Sequence, residues 1–127
     1  MGEQDQTLYE RVGGERGIAR LMDAFYERVL ADPMLRPFFE DVAMDKLRRM
    51  QREFFAAALG GPMAYAGRSL AEIHAGRGIQ LEHLRRFLDH LLGTLRAQGI
   101  GEVDAYKIVS RINLYADEIT GNVSVDG

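Results

Sequence analysis

The 127-residue chain has no cysteine and no tryptophan, and it contains only three prolines and three histidines. Without cysteine it can form no disulfide, thiolate nucleophile, iron–sulfur ligand set or cysteine zinc site. A formal net charge of −3 and the lack of a clustered basic stripe argue against nucleic acid as its main partner. No apolar run approaches the roughly 20 residues that a membrane-spanning helix needs.

The length is that of one domain with a single hydrophobic core. The polar, acidic start of the chain does not resemble a signal peptide, so we expect a cytoplasmic protein. We therefore predict a single domain over residues 1–127. Residues 1–6 are expected to form a polar N-terminal extension, and residues 121–127 a C-terminal tail.

Apolar residues recur at spacings of three and four along most of the chain, which is typical of amphipathic helices. A capping box at Thr7 and Glu10 predicts a first helix that Gly13 ends almost at once. The longer helices are predicted at about 15–30, 44–59, 81–99 and 102–120. No segment alternates like a strand, so the predicted fold class is all-α. In the last helix the predicted apolar face comprises Val103, Tyr106, Val109, Ile112, Ala116 and Ile119.

His74 is the histidine whose surroundings carry most information. Ser69 and Glu72 form a second capping box before it, and Gly76 and Gly78 follow it, which predicts a very short helix. A short apolar element with one imidazole is a plausible source of a single axial ligand to iron. The alternative is a histidine that is merely buried in the core.

Two polar residues interrupt the predicted apolar faces. Gln51 shares a helix face with Leu47 and Phe54, and Tyr26 lies at the inner edge of the stripe on its own helix. Small-ligand sites are mostly apolar with a few converging polar groups, so these two residues are candidates for such a site. Alternatively, Gln51 binds a nearby backbone carbonyl and Tyr26 points its hydroxyl to solvent.

Four phenylalanines and two histidines also allow more than one interpretation. The phenylalanines at 38, 39, 54 and 55 fit either a core or the faces of a flat cofactor. His83 and His90 lie seven residues apart on one helix face, which is a poor chelate without inward carboxylates. We interpret both histidines as surface residues or as residues that support a site without touching its ligand, and a non-haem metal site as a weak alternative.

Six motifs then follow one another in a specific order and spacing. In sequence they are LYERVGG at 8–14, FYERVLADP at 25–33, PFF at 37–39, QxxFFAAALGGP at 51–62, YxGR at 65–68 and HxGxGI at 74–79. Together they closely resemble a truncated haemoglobin, most like group I, over nearly the whole chain. The resemblance implies a two-over-two helical sandwich around haem b.

The resemblance also implies roles for individual positions. His74 matches the proximal iron ligand, and Phe39 the phenylalanine that packs on haem. On the distal side, Tyr26 matches the distal tyrosine, Leu47 the position where other globins often place a histidine or glutamine, and Gln51 a hydrogen-bonding position. The haem-contacting residues implied in full are His74, Phe39, Leu47, Phe54, Tyr65, Arg77 and Phe87.

The sequence departs from the family pattern at two positions. Phe87 stands where group I proteins usually have a smaller residue, which is expected to narrow the pocket or a ligand tunnel. Met50 stands where some relatives have a second iron-binding histidine, which argues against bis-histidine ligation. The haem propionates are expected at Arg77 and Tyr65, with Lys46 or Arg48 as further candidates; solvated surface cations are the alternative.

The function implied by the resemblance is reversible binding of O₂, NO and CO. Nitric oxide dioxygenation to nitrate is the expected chemistry, and it requires an electron donor or reductase that the sequence does not identify. Storage, delivery or sensing of O₂ without catalysis is the alternative, and a haem-free helical interaction module is a third. A monomer or weak homodimer is expected.

Overall fold

The structure, a computed structural model, describes residues 6–61 and 78–116. Within those ranges it contains only helices, as predicted. We number the α-helices α1 (Leu8–Arg11), α2 (Gly14–Ala31), α3 (Met44–Ala58), α4 (Leu81–Ala97) and α5 (Glu102–Asn113), and a 3₁₀ helix spans Arg36–Phe39. The helix predicted around His74, the first five residues and the C-terminal tail lie outside the described residues.

Helix α2 is the centre of the arrangement. It packs against α3 on one side and against α4 on the other, and α4 in turn packs against α5. The pairs α2–α3 and α4–α5 therefore form two layers joined through α2 and α4, which is the predicted two-over-two sandwich. None of the described helices has both the length and the apolarity to cross a bilayer.

The first turn of the fold is set by local sequence signals. The predicted capping box is present: Glu10 N donates to Thr7 Oγ1 at 3.1 Å, and Thr7 N donates to Glu10 Oε1 at 3.0 Å. Gly13 has φ of +107°, a conformation that other residues rarely adopt, and it lets the chain turn from α1 into α2. At Gly17 an added Cβ would lie 1.9 Å from the Val12 carbonyl oxygen, so the two helices meet there without room for a side chain.

The buried face of α2 is that of an amphipathic helix, as the spacing of its apolar residues predicts. Ile18, Leu21 and Val29 are each no more than 2% exposed. At its far end the helix stops at Asp32, where the backbone becomes extended before Pro33. The buried face of α2 comprises Gly17, Ile18, Leu21, Met22, Phe25, Tyr26 and Val29.

The apolar face predicted for α5 is partly wrong. In α5 the buried residues are Ala105, Ile108 and Ile112, whereas Val103 is 68% exposed and Tyr106 is 55% exposed. The helix ends at Asn113, a turn follows at residues 114–115 and residue 116 is helical again, while residues 117–120 of the predicted helix lie outside the described residues. In α4, Leu81 is 47% exposed, because it begins the helix beyond the packed region.

Candidate functional site

Tyr26 is enclosed by aromatic rings from three elements. Its ring centroid lies 5.1 Å from that of Phe25 on the same helix, 5.9 Å from Phe39 in the 3₁₀ helix and 6.3 Å from Phe87 on α4. The residue is only 1% exposed. The alternative that Tyr26 points its hydroxyl to solvent is therefore wrong, and the tyrosine belongs to the interior.

This burial has a chemical consequence for the tyrosine hydroxyl. Desolvation disfavours the charged phenolate and raises the pKa of Tyr26 well above its ordinary value. The hydroxyl therefore stays protonated at physiological pH. It is a neutral hydrogen-bond donor in an apolar environment, where a hydrogen bond is stronger than in water.

Phe87 is packed tightly against the same cluster. Its ring meets Phe25 edge-on, with centroids 4.7 Å apart, and the residue is half-buried. The structure thus places the large side chain at position 87 directly beside Tyr26. The expectation that Phe87 narrows the pocket or a ligand tunnel stays a prediction.

Phe54 belongs to the far end of the same row of rings. It lies 5.8 Å from Phe55 and 5.1 Å from Tyr115, while Phe55 reaches Phe25 at 6.4 Å. Both Phe54 and Phe55 are buried. Phe54 is thus joined to the Tyr26 cluster through two intervening rings.

The two remaining distal candidates lie one turn apart on α3. Leu47 is half-buried and packs against the core, and Gln51 is half-buried on the same helix face. The C-terminal half of α3, with Phe55 and Ala58, is more deeply buried than this N-terminal half. The partial burial of Leu47 and Gln51 leaves part of their surface available to a bound group.

Arg48 supplies a cation close to these residues in sequence. Its Nε atom is buried and meets no hydrogen-bond acceptor among the described residues. Since Arg48 precedes Gln51 by three positions on α3, the two side chains are neighbours on the helix surface. A buried guanidinium nitrogen of this kind is well suited to a carboxylate brought by a ligand.

Three predicted site residues fall outside the described residues. They are His74, Tyr65 and Arg77, so the roles assigned to them remain predictions. Lys46, the other candidate for a propionate, is exposed on α3.

The other two histidines have defined partners. His83 Nδ1 accepts a hydrogen bond from Gln80 N at 2.9 Å at the start of α4, and its ring meets Phe38 at 4.8 Å. His90 Nε2 lies 2.7 Å from Asp32 Oδ2. Among the described residues, no group of three histidine, aspartate or glutamate side chains is arranged to hold a metal ion.

Sequence reasoning missed the cluster around Asp32. The Asp32 side chain is 2% exposed and accepts hydrogen bonds from His90 Nε2 and from Arg86 Nε. These bonds, from His90 first and then Arg86, hold the pKa of Asp32 well below its usual range despite the opposing effect of burial. The sequence signal was available in part, because Arg86 and His90 are four residues apart and therefore share a helix face.

The described residues fit the haem group that the sequence leads us to expect. A porphyrin needs large apolar side chains against its faces, and Phe39, Phe87 and Leu47 are half-buried residues of that kind on three different elements. Its carboxylates need cations, and the buried Arg48 Nε meets no acceptor within the described part of the chain. Tyr26 adds one neutral donor to an otherwise apolar group of rings.

Comparison with known proteins gives the family directly. The family profile for bacterial-like globins matches residues 7–121. The chain is 40% identical over 113 residues to a group 1 truncated haemoglobin, GlbN, from Mycolicibacterium paratuberculosis, a match that covers 89% of this chain and 83% of the relative. It is also 40% identical over 100 residues to group 1 truncated haemoglobin GlbN of Synechocystis, covering 76% of this chain and 81% of that protein.

A solved structure shows the same architecture. The truncated haemoglobin of Tetrahymena pyriformis in its Fe(III) form superimposes with a TM-score of 0.86 at 31% identity, covering 90% of this chain and 97% of that one. The chain therefore belongs to the bacterial-like globin family, as a group 1 truncated haemoglobin that holds haem b and binds diatomic gases.

Proposed function

We propose that the protein binds O₂ reversibly, and also NO and CO, on a haem iron ligated by His74, with Tyr26 and Gln51 on the distal side. We further propose that it supports the dioxygenation of nitric oxide to nitrate. The observation that carries this proposal is the buried Tyr26 hydroxyl, enclosed by aromatic rings and kept protonated by its surroundings.

Haem supplies the ferrous iron at which a diatomic gas binds and at which NO, O₂ and one electron combine to give nitrate. Because one electron is consumed in each turnover, an external donor or reductase must return it. A cytoplasmic, monomeric or weakly dimeric protein of one domain is the corresponding expectation.

The distal residues select and hold the gas ligand. The Tyr26 hydroxyl donates a hydrogen bond to a ligand that carries partial negative charge, and Gln51 donates to the same ligand or orients the tyrosine. A hydrogen bond to a charged group contributes about 1.5–3 kcal/mol, which corresponds to roughly a tenfold to hundredfold slower release of O₂. Leu47 keeps water away from that bond.

The remaining candidates hold the cofactor itself. Phe39, Phe54 and Phe87 provide apolar and aromatic contacts, and Arg77 and Tyr65 bind the propionates together with Lys46 or Arg48. The buried Arg48 Nε, which meets no acceptor among the residues described, supports Arg48 over the exposed Lys46.

The first experiment is the visible spectrum of haem-supplemented wild type beside H74A, in ferric, dithionite-reduced and oxygenated samples. We expect a stable oxygenated spectrum in the wild type that is lost in H74A. The control is H83A, which removes a histidine whose imidazole caps α4 and should keep the spectrum. Failure of the folded wild type to take up haem would overturn the proposal.

The distal assignment is tested on the same samples with Y26F. Removing the hydroxyl should speed O₂ dissociation about tenfold to a hundredfold, measured by stopped-flow displacement with CO. The matched control is Y106F, because the Tyr106 hydroxyl lies on the exposed surface, where it accepts a hydrogen bond from Arg96 Nη2 at 3.1 Å. An unchanged rate of O₂ dissociation in Y26F would show that Tyr26 is not the donor.

A separate assay distinguishes catalysis from storage: it measures the yield of nitrate from NO and O₂ in the presence of a reductant.

A further inference from the structure

The Asp32 carboxylate sits at the junction of the elements that surround Tyr26. It ends α2, six residues after Tyr26, and its side chain is 2% exposed. Its two oxygens have different partners. Oδ1 accepts from Met34 N at 2.9 Å, whereas Oδ2 accepts from Arg86 Nε at 2.5 Å and from His90 Nε2 at 2.7 Å.

Asp32 orders the turn that leads to Phe39 through both its side-chain Oδ1 atom and its backbone carbonyl oxygen. Besides the bond to Met34 N, the Asp32 carbonyl oxygen accepts from Leu35 N at 3.1 Å and from Arg36 N at 2.9 Å. The 3₁₀ helix that carries Phe39 begins at Arg36. The ring of Phe39 then meets Tyr26 edge-on, at 5.9 Å.

The Oδ2 side of Asp32 holds the turn of α4 that carries Phe87. Arg86 precedes Phe87 by one residue and His90 follows it by three, so both donors lie within about one helical turn of Phe87. Phe87 contacts Phe25 at 4.7 Å and Tyr26 at 6.3 Å. A buried carboxylate with a fixed charge-assisted network resists displacement of either element, because any shift leaves charge unpaired.

We propose that Asp32 is a positioning residue for the Tyr26 hydroxyl. Oδ1 and the backbone carbonyl oxygen of Asp32 order the turn to Phe39, Oδ2 fixes the turn of Phe87, and the two rings together hold the Tyr26 ring in one orientation. This proposal rests on the proposed function, since it assigns a consequence for the gas ligand to a residue that does not touch the haem site.

The test compares haem-loaded wild type, D32N, Y26F and the double variant D32N/Y26F. The asparagine side chain of D32N has one acceptor oxygen, which can face Met34 N or the pair Arg86 and His90 but not both, so one set of hydrogen bonds is lost together with the negative charge. We expect D32N to shift the C–O stretching frequency of the carbon monoxide complex in the same direction as Y26F. O₂ dissociation should become about 3- to 10-fold faster, less than the full loss of the tyrosine bond.

The matched control is D104N, which removes another Arg–Asp ion pair of similar length, between Arg11 Nε and Asp104 Oδ2 at 2.8 Å, at the contact of α1 with α5. It should leave the C–O frequency and the O₂ rate unchanged. If D32N does not fold, R86Q takes its place: it removes one donor from a half-exposed position and should act in the same direction with a smaller effect.

The double variant decides whether Asp32 acts through Tyr26. If it does, D32N adds no further change of frequency or rate in the Y26F background. A full additional effect in that background, or a D32N that behaves like D104N, would overturn the positioning role while leaving the proposed function intact. If Y26F itself changes neither quantity, the distal assignment is wrong and the positioning role falls with it.

Discussion

Tyr26 and Asp32 are both buried polar side chains on one short stretch of chain, but their surroundings act on them in opposite directions. Aromatic rings around Tyr26 disfavour the phenolate and raise its pKa, whereas hydrogen bonds from His90 and Arg86 favour the carboxylate and lower the pKa of Asp32. At neutral pH one residue is therefore a neutral donor and the other a full negative charge. The first can act on a ligand, and the second ties two elements together.

The lowered pKa of Asp32 makes the stability of the protein depend on pH in acid. An aspartate in the unfolded chain titrates near pH 3.9, so the Asp32 interactions contribute fully above about pH 5 and are lost as the pH falls toward the lower pKa of the folded state. We expect the free energies of unfolding of wild type and D32N to differ most at about pH 5–7 and to converge as the pH falls below about 4. Urea unfolding at a series of pH values measures this.

The variant R86Q provides the internal control for that series. It keeps the carboxylate but removes one of its donors, so the pKa of Asp32 should lie nearer its ordinary value. At about pH 5–7 the free energy of unfolding of R86Q should therefore differ less from that of D32N than the wild-type value does. The values for R86Q and D32N should also converge as the pH falls. A difference between wild type and D32N that is constant across the acid range would contradict the assigned cause.

At the scale of the element, α5 shows why a spacing pattern does not by itself choose a buried face. Apolar residues lie on two sides of this helix, and the predicted face is only partly the buried one. Its member Ile112 is 1% exposed, but Val103 faces outward, and Ala105 and Ile108, which were not predicted, are fully buried. Contacts with α4 and α1 decide which side is covered. Tyr106, on the outer side, lies under the Arg96 guanidinium at 5.8 Å.

Two glycines in helices give a prediction about helix packing. G17A should lower the free energy of unfolding by about 2–3 kcal/mol, because its Cβ would lie 1.9 Å from the rigid Val12 carbonyl oxygen. G93A is the matched control. Its Cβ would meet only the end of the flexible Arg28 side chain, at 2.5 Å, and alanine is the better helix former by about 1 kcal/mol.

Chemical denaturation of both glycine variants measures the difference. G93A should be neutral or slightly stabilising, and G17A clearly destabilising with helix content retained. Equal losses in the two variants would show that the close approach of α1 to α2 is not what requires Gly17.

At the scale of the whole molecule, the rings form one row through the two layers. It runs from Tyr115 through Phe54, Phe55 and Phe25 to the Tyr26 cluster. The middle of this row is its deepest part, because Phe55, Phe25 and Tyr26 are each no more than 1% exposed. Phe39, at one end of the row, and Leu47, in the N-terminal part of α3, are only half-buried.

Haem removal should therefore loosen the molecule unevenly. A ligand at about 1,000 times its dissociation constant stabilises the folded state by about 4 kcal/mol, so the apoprotein should unfold at a clearly lower temperature. Amide-hydrogen exchange should rise first around Leu47 and Phe39, while Leu91, Leu95 and Ile108, which are all fully buried, stay protected. A uniform rise along the chain would contradict this picture.

Much of this protein was determined by short-range features of its sequence. Helix spacing, the Thr7–Glu10 capping box and the end of the first helix before Gly13 involve residues within one or two turns, so the local pattern specifies them and the structure confirms them. The ordered motifs indicated the family and the cofactor, because their order and spacing resemble those of the family over nearly the whole chain.

Tertiary structure alone decided which polar residues are enclosed and what they contact. Asp32 meets Arg86 and His90 across 54 and 58 positions of sequence, and no local pattern encodes a contact at that distance. The same holds for Tyr26. From its position at the inner edge of the apolar stripe, its side chain could face solvent or the interior, and only the packing of Phe39 and Phe87 around it shows that it faces the interior. The physical reason is that burial is a property of packed elements, whereas periodicity describes only one element at a time.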